Sequence, residues 1–436
     1  MIRLPRPAHI TAAFGDLYPK AARSHRSNMD MTVGGPSLRS TRGLDWFVFF
    51  LADVQTGFGP FVAVYLTTQK WTQVEIGLIL SIGGIVALLG QIPGGAIVDR
   101  ARSERFVAAV AVATIGACAL AYASWPIFPI VLMAAVLHAA SSCMLGPAIA
   151  AISLGLVGPT AISLRLGRNA RFAAVGSGVA AAGMGICGYL LSSRAVFLVT
   201  VAFAIPTILA IAHIRGAEIN PDRAHGADRR ETMPTPQKTG VAMLVRNRPL
   251  LAFALLVALF QLANAAMLPV MGSFVTTQLG NGAPALIGAA MVLPQIIVAA
   301  MSPWVGKRTQ VWGRRRLLQI GIGALVLRGV LFAFVHDPYL LVAIQVLDGI
   351  AASVFGVLIP LVIVDVTYGS GHFNLAQGIV GTATGIGASA SVLLASYLGD
   401  HFGREVAFLA LAAIGATAFA FCSLVMPETR PQAIDP

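Results

Sequence analysis

Residues 75–105, EIGLILSIGGIVALLGQIPGGAIVDRARSER, contain the pattern that decides the fold. Residues 76–98 carry no charged side chain, and a helix of that length crosses the roughly 30 Å hydrocarbon core of a bilayer. Asp99, Arg100, Arg102 and Arg105 follow at once, and a second apolar run begins directly after them. The stretch therefore predicts a transmembrane helix that ends in a short basic turn.

The same alternation of apolar runs and short polar turns fills the chain after residue 43. The runs are continuously apolar and rich in Leu, Ala and Gly, whereas the strands of a membrane barrel would alternate with a period of two. The sequence therefore predicts an all-α membrane protein with twelve spans: 44–66, 75–98, 106–125, 127–152, 171–191, 195–213, 250–275, 285–305, 317–335, 339–366, 376–398 and 405–425.

The composition excludes an ordinary soluble enzyme. Hydrophobic residues make up 57% of the chain and charged residues 11%, against about 25% charged in soluble domains. The four cysteines lie in apolar stretches and show neither metal-ligand spacing nor a disulfide framework. No cofactor and no metal site are predicted.

The basic residues predict the topology. With a cytoplasmic N-terminus, 26 of the 30 Lys and Arg residues fall on the cytoplasmic side, which is a strong positive-inside pattern. The net charge of +12 is thus assigned to orientation and not to nucleic acid. We expect a multi-pass protein of the bacterial inner (plasma) membrane, with both termini cytoplasmic and Met29 or Met31 as possible alternative starts.

An internal repeat divides the chain. A shift of 211 residues places Phe49, Leu51 and Ala52 on Phe260, Leu262 and Ala263, Asp53 on Asn264, Ile76-Gly77 on Ile287-Gly288, and Gly95 on Gly306. Related shifts of 210 and 205 residues pair His138 with Asp348 and Asn169 with Asn374. Self-similarity of this kind predicts one six-helix unit used twice. The predicted segments are a disordered basic tail (1–43), a first half (44–213), a flexible linker (214–248), a second half (249–425) and a tail (426–436).

Two loops and the end of the chain resemble the major facilitator superfamily. The superfamily signature between spans 2 and 3, Gly-x-x-x-Asp-Arg-x-Gly-Arg-Arg/Lys, is partly kept as Gly95, Asp99 and Arg100. In the second half Gly306, Gly313, Arg314 and Arg315 are kept, while Gln310 replaces the Asp. Residues 427–430, PETR, are similar to the end of many such transporters. The resemblance covers nearly everything after residue 43.

These loops allow two interpretations. A tight turn between spans needs glycine, and the arginines can reach helix C-termini or acidic groups. The resemblance implies that Asp99 and its neighbours help to latch the two halves together in one state of a transport cycle. The alternative is that the arginines only determine the topology.

Ionisable side chains inside the spans are the candidate site, because an unpaired charge in hydrocarbon costs several kcal/mol. By the predicted helix register Asp53, His138 and Asp348 lie near the midplane, where transporter sites are expected at the interface between repeats. The resemblance places spans 1, 4, 7 and 10 around a central cavity. The candidate pathway for substrate and protons comprises Asp53, Asn264, His138, Asp348, Arg328, Gln261 and Gln345.

Each candidate has a structural alternative. Asp53 or His138 could carry a proton, or could hold neighbouring helices together. Arg328 and Asp348 could form an ion pair, which would make Asp348 structural and less free to carry protons. Gln261, Gln295 and Gln345 could bind substrate or link helices, and Asp365 is interpreted as a boundary residue.

The sequence contains no ATP-binding P-loop. The G-x-G-x-x-G pattern at 183–188 falls in an apolar helix, where close helix packing explains it. We therefore expect no enzyme but a monomeric, proton-coupled secondary transporter of a small organic solute, with efflux slightly favoured although span 5 (171–191) lacks the antiporter Gly-Pro pair. The alternatives are a nutrient uptake symporter and a non-transporting sensor built on a transporter fold.

Overall fold

The computed structural model describes residues 35–56, 59–227, 244, 246–279 and 283–430, and every regular element in these ranges is helical. A 3-10 turn lies at Gly216–Glu218. The α-helices are Leu38–Thr56, Gly59–Thr68, Gln73–Arg100, Glu104–Ser124, Phe128–Leu190, Ser193–His213, Pro221–Ala224, Arg248–Asn264, Met267–Leu279, Ala283–Trp312, Arg314–Phe334, Pro338–Ile344, Val346–Thr367, Phe373–Phe402 and Arg404–Leu424.

The helices match the twelve predicted spans. Ten helices of the described ranges are long and apolar enough to cross a membrane. One of them, Phe128–Leu190, has 63 residues and contains both span 4 and span 5. The two spans are separated at Gly158, whose backbone angles (φ 70°, ψ 175°) are not helical. Only glycine adopts that backbone conformation readily, and Pro159 follows it. Span 1 is described as Leu38–Thr56 and Gly59–Thr68, on either side of residues 57 and 58, and neither piece is among the ten.

Short polar residues start the spans. Thr72 and Glu75 form a reciprocal capping box before span 2, in which each side chain accepts from the backbone N–H of the other residue (3.2 and 2.9 Å). Ser103 and Ser192 cap spans 3 and 6 in the same position. These caps satisfy backbone donors that the hydrocarbon core could not.

Two apolar cores hold the bundle together. One core is built from the first half. The other is built mainly from the second half, and it also includes Ala150, Leu154, Ile162 and Leu166 from the helix that contains spans 4 and 5. Span 2 packs against span 11, and span 5 packs against span 8. We call the end of the bundle that carries the turns at 101–103 and at Gly313, with the basic residues of 100–105 and 307–316 around them, the basic end.

Spans 7 and 10 are interrupted, although the sequence predicts continuous helices. Span 7 stops at Asn264 and restarts at Met267, and span 10 stops at Ile344 and restarts at Val346. The apolar runs continue through both interruptions, so hydropathy does not reveal them. The cause is tertiary: side chains from spans 9 and 11 bind groups at the interruptions. Ser391 Oγ of span 11 accepts from Ala266 N (3.1 Å), and Arg328 Nη2 of span 9 lies 3.5 Å from Asn264 O.

Three segments that were predicted to be loops are folded. The first helix begins at Leu38, inside the predicted tail, and residues 214–227 of the predicted flexible linker pack across the basic end. The predicted loop between spans 4 and 5, residues 153–170, is helical on both sides of Gly158. The reason is that Glu218 accepts from Ser37 N (3.0 Å) and Asn220 N donates to Gly155 O (3.1 Å). The linker 228–243 and the tails 1–34 and 431–436 lie outside the described residues.

Candidate functional site

Arg328 of span 9 is the centre of the candidate site. It is 1% exposed, and its Nη1 donates to Asp348 Oδ1 of span 10. Its Nη2 donates to Asn264 Oδ1 of span 7 at 2.8 Å. The ion pair between Arg328 and Asp348, one of the two alternatives from the sequence, is therefore present. Asn264 and Asp348, which the repeat relates to Asp53 and His138, both bind Arg328.

The interruptions of spans 7 and 10 lie at this arginine. Arg328 contacts Gln345 Oε1 at 3.5 Å and Met267 Sδ at 3.3 Å, and Asn264 O lies 3.5 Å from Nη2. We call Arg328, Asp348, Asn264, Gln345 and Met267 the Arg328 cluster. Both turns keep near-helical backbone angles, with Ala265 at φ −65°, ψ −32° and Gln345 at φ −64°, ψ −10°. Discontinuous helices are typical of transporter binding sites.

Gln345 has unused hydrogen-bonding capacity in this cluster. The residue is 1% exposed, and its Nε2 has no hydrogen-bond partner among the described residues. A buried amide donor without a partner costs about 1–3 kcal/mol, so it marks a place where a polar ligand group would be stabilised. Asp348 is 26% exposed at its side chain. In this state the Gln345 donor is buried, and the carboxylate of Asp348 is the partly exposed group of the pair with Arg328.

The other predicted pathway residues lie apart from this arrangement. Gln261 is half-buried, one turn before Asn264 on the same helix. The hydrogen-bond partners of Arg328 in the described chain come from the second half, and half-buried His138 of span 4 is not among them. The backbone of Asp53 belongs to Leu38–Thr56, but its side chain lies outside the described residues. The roles of Asp53 and His138 remain predictions.

Asp99 joins the two halves at the basic end. Its carboxylate accepts from Asn374 N (3.1 Å), Asn374 Nδ2 (2.8 Å) and Leu375 N (2.7 Å) at the start of span 11. An anion is favoured there by free N–H groups and by the helix dipole. Gln310, at the equivalent place in the second half, makes a neutral contact from its Nε2 to Ser163 Oγ at 3.1 Å. Arg100 is exposed and bonds to no other part of the described chain.

Gly95 and Gly306 lie inside helices and not in turns, so the prediction of turn glycines was wrong for both. A Cβ built on Gly95 would lie 2.2 Å from Asn374 O, and one on Gly306 would lie 2.6 Å from Ser163 O. Each glycine therefore lets a helix of one half approach the backbone of the other half. Gly313 does occupy a turn, with φ 81°, in the left-handed region that favours glycine.

The remaining signature residues bind the end of the chain. Glu428 accepts from Arg314 N (2.7 Å) and Arg315 N (3.2 Å) at the start of span 9. Arg314 Nε lies 2.8 Å from Asp365 Oδ2, and both side chains are nearly fully buried. Asp365 is therefore a buried ion-pair partner and not a simple boundary residue. Thr429 Oγ1 also donates to Asp365 Oδ2 (3.2 Å), which fixes the C-terminal PETR segment to spans 9 and 10.

A second buried charge cluster was missed from the sequence. Asp45 of span 1 binds Arg165 Nη2 (2.6 Å) and Arg168 Nη2 (2.5 Å) of the span 5 helix. Arg165 Nε also donates to Asn169 Oδ1 (2.7 Å), whose Nδ2 donates to Ser153 Oγ (2.8 Å). The three-residue spacing of the arginines and a lone Asp at the start of a span were the available signals. The positive-inside pattern already accounts for the arginines, so the sequence alone does not indicate that they pair with Asp45.

The folded part of the linker, residues 214–227, is here called the strap, and it contacts both halves. His225 Nε2 lies 3.1 Å from Glu104 Oε1 at the start of span 3, and Gly226 O accepts from Gly369 N (2.6 Å) before span 11. The pKa of His225 is raised above its ordinary value, chiefly by the contact with Glu104. Burial opposes the increase, and the charges of Glu104, Asp99 and Asp222 add to it.

The strap should make stability depend on pH. Protonated His225 is stabilised in the folded state, so its contribution is complete below the unfolded pKa of about 6.5 and is lost as the pH rises through the raised folded pKa. We expect the melting temperature of wild type to exceed that of His225→Gln at pH 6 and the difference to shrink by pH 9. His401→Gln, an exposed histidine outside the strap, is the control. A difference that stays constant from pH 6 to pH 9 would show that the Glu104 contact is not charge-dependent.

The fold and the site define a class of protein. Two packed groups of membrane helices meet through spans 2, 5, 8 and 11, and a buried polar cluster lies where two spans are interrupted. This is the architecture of a membrane transporter and not of an enzyme.

Comparison with known proteins identifies the family. The family model described as Major Facilitator Superfamily matches residues 46–282 and 253–436. Two proteins named "uncharacterized MFS-type transporter", from Mycobacterium tuberculosis strains CDC 1551 / Oshkosh and ATCC 25618 / H37Rv, are each 38% identical over 405 residues, covering 92% of this chain and 96% of theirs. The chain belongs to the major facilitator superfamily.

Solved structures of low sequence identity share the fold. A single-residue variant of the E. coli fucose:proton symporter FucP aligns with a TM-score of 0.70 at 16% identity, covering 89% of this chain and 98% of FucP. FucP in the outward conformation gives a TM-score of 0.69 with the same coverage. The human organic anion transporter MFSD10 (TETRAN) gives 0.66 at 16% identity, covering 88% of this chain and 100% of MFSD10.

Proposed function

We propose that this protein is a proton-coupled secondary transporter that moves a small organic solute across the bacterial inner membrane by alternating access. The observation that carries the proposal is the Arg328 cluster, a buried charge pair with an unused amide donor at two helix interruptions of the described chain. The solute would bind Gln345 Nε2 and the exposed edge of Asp348. Asp53 and His138 are the candidate proton carriers from the first half.

The closed basic end supports alternating access. Asp99, Gly95 and Gly306 make direct contacts between the halves there. With the positive-inside orientation and cytoplasmic termini, this state is closed toward the cytoplasm. Rocking of one half against the other around the Arg328 cluster would then expose the site to the two sides in turn. Asp99 and its hydrogen bonds to the start of span 11 would act as a latch that opens in each cycle.

Direction and coupling are the finer parts of the proposal. Efflux is favoured because the positive charge of Arg328 is neutralised by Asp348, so the cluster has no spare cationic group for a strongly anionic nutrient. The fold-sharing FucP is a fucose:proton symporter, which is a precedent for proton coupling on this scaffold. Uptake by proton symport is the alternative direction, and a non-transporting sensor is the alternative class.

A ligand screen tests the site. A ligand that binds only the folded state stabilises it by about 2.7 kcal/mol at a hundredfold excess over Kd, which raises the melting temperature. We expect a hit from a library of metabolites and drugs whose thermal shift is abolished in Gln345→Met and reduced in Asp53→Asn. Gln278→Met, an exposed glutamine far along span 7, should keep the full shift. An undiminished shift in Gln345→Met would contradict the site assignment.

Flux measurements test the function. The same ligand, loaded into proteoliposomes, should move against its gradient when a proton gradient is imposed, and the flux should collapse in Asp53→Asn. A ligand that binds at Gln345 but shows no protein-dependent flux under either gradient direction would favour the sensor.

A further inference from the structure

A groove between the first helix and span 6 is not used by the proposed transport site. It has a volume of about 530 Å³ and lies at the basic end on the outside of the bundle. Its mouth carries Arg39, Arg42 and His213, and its floor includes Trp46, Phe50 and Leu209. The two helices approach each other closely behind it, where a Cβ on Gly43 would lie 3.2 Å from Ala210 O.

The two arginines have no acidic partner within the described residues. Both are exposed, and no acidic side chain of the described chain lines the groove. The two nearby acids are engaged elsewhere: Asp45 pairs with Arg165 and Arg168, and Glu218 with Ser37 and Arg215. The mouth of the groove is therefore a site of uncompensated positive charge.

The floor of the groove is apolar and faces outward. Trp46 is 50% exposed and Leu209 is 57% exposed. From Arg42 to Phe50 the first helix advances eight residues, which is about 12 Å at 1.5 Å per residue. A tryptophan one turn from a basic pair is the arrangement expected at the boundary between headgroups and acyl chains.

We propose that this groove binds an anionic phospholipid, with the phosphate between Arg39 and Arg42 and an acyl chain along Trp46, Phe50 and Leu209. A phospholipid matches the groove because its headgroup is anionic, which complements the two arginines. Its acyl chain is apolar over more than the roughly 12 Å of apolar surface that follows them. The chain's own N-terminal tail is a poor occupant, since residues 1–34 contain five Lys and Arg residues against two Asp. Basic pockets on a membrane helix at the cytoplasmic side commonly select anionic headgroups.

Quenching of Trp46 tests the proposal directly. The protein in detergent is titrated with phosphatidylglycerol whose acyl chains are brominated, and with phosphatidylcholine carrying the same chains. The signal of Trp46 is the difference between wild type and Trp46→Phe. We expect phosphatidylglycerol to quench this signal at lower concentration, by about fivefold for each arginine that contacts the headgroup. Equal quenching by the two lipids would overturn the proposal.

Matched variants assign the effect to the groove. Arg39→Gln/Arg42→Gln should abolish the preference for phosphatidylglycerol, while Arg39→Lys/Arg42→Lys should keep most of it. Arg246→Gln/Arg248→Gln is the control, because this exposed pair stands at the start of span 7 and does not line the groove. A preference that survives in the first double variant would overturn the proposal. Displacement of the brominated lipid by glycerol 3-phosphate at equal concentration would also overturn it, since that result defines a site for a free phosphate.

Discussion

Asp348→Asn is expected to lower the free energy of unfolding by about 3–5 kcal/mol, the largest effect of any single change considered for this protein. The substitution leaves Arg328 charged at 1% exposure with only neutral partners in the described chain. Arginine does not lose its proton in proteins, so the buried positive charge would remain without a counter-charge. Arg328→Met should cost less, because Asp348 is 26% exposed and a carboxylate can take up a proton when its partner is removed.

The double variant Arg328→Met/Asp348→Asn should be more stable than Asp348→Asn alone. Removing both charges leaves no unpaired ion, so the two single effects should not add. The measurement is unfolding in mixed micelles with increasing dodecyl sulfate, with exposed Arg316→Met as the control. Additive losses would show that the two side chains do not act as a pair. We also expect the double variant to remain folded but inactive in flux assays, which separates the role of the pair in stability from its role in transport.

Gly95→Ala is expected to disrupt closure of the basic end. The new methyl group would lie 2.2 Å from Asn374 O, and a backbone oxygen on a packed helix cannot move aside cheaply. Overpacking of this kind costs about 1–3 kcal/mol, and the cost falls only on the closed state. The ratio of closed to open molecules should therefore fall by about tenfold for each 1.4 kcal/mol. Gly306→Ala should act in the same direction but less strongly, since its contact is 2.6 Å.

The repeat supplies matched controls for this prediction. Gly77 and Gly288 are also related by the shift of 211 residues, and a Cβ at either position meets no described atom within 4 Å. Alanine there should be neutral or stabilise the helix by up to about 1 kcal/mol. Closure is followed by maleimide labelling of Ser163→Cys, which is buried at the interface between the halves, relative to the same protein without that cysteine. Faster labelling in Gly95→Ala and Gly306→Ala but not in the controls is expected; equal rates in all four would contradict the role of these glycines.

The two signature loops show why the sequence predicted the residues but not their roles. The pattern marked Gly95 and Gly306, yet a glycine that permits a turn and a glycine that permits close helix contact look the same in a sequence. The resemblance marked Asp99 as a latch between the halves, which stays a prediction, and its partners in the structure, Asn374 and Leu375, lie 275 and 276 residues away. No local rule connects positions at that separation.

The sequence by itself determined that this is a multi-pass membrane protein and where its helical spans lie. These properties depend on the hydropathy and length of contiguous segments, and the solvent of each segment is fixed before any helix meets another. Only the tertiary structure decided which polar groups meet. The rotation of each helix sets which side chains face a neighbour. Packing therefore brings Asn264, Gln345 and Asp348 to Arg328, where spans 7 and 10 are interrupted, and it pairs Asp45 with Arg165 and Arg168. A buried charge needs a partner, and only the packed bundle decides which side chain is near enough to be that partner.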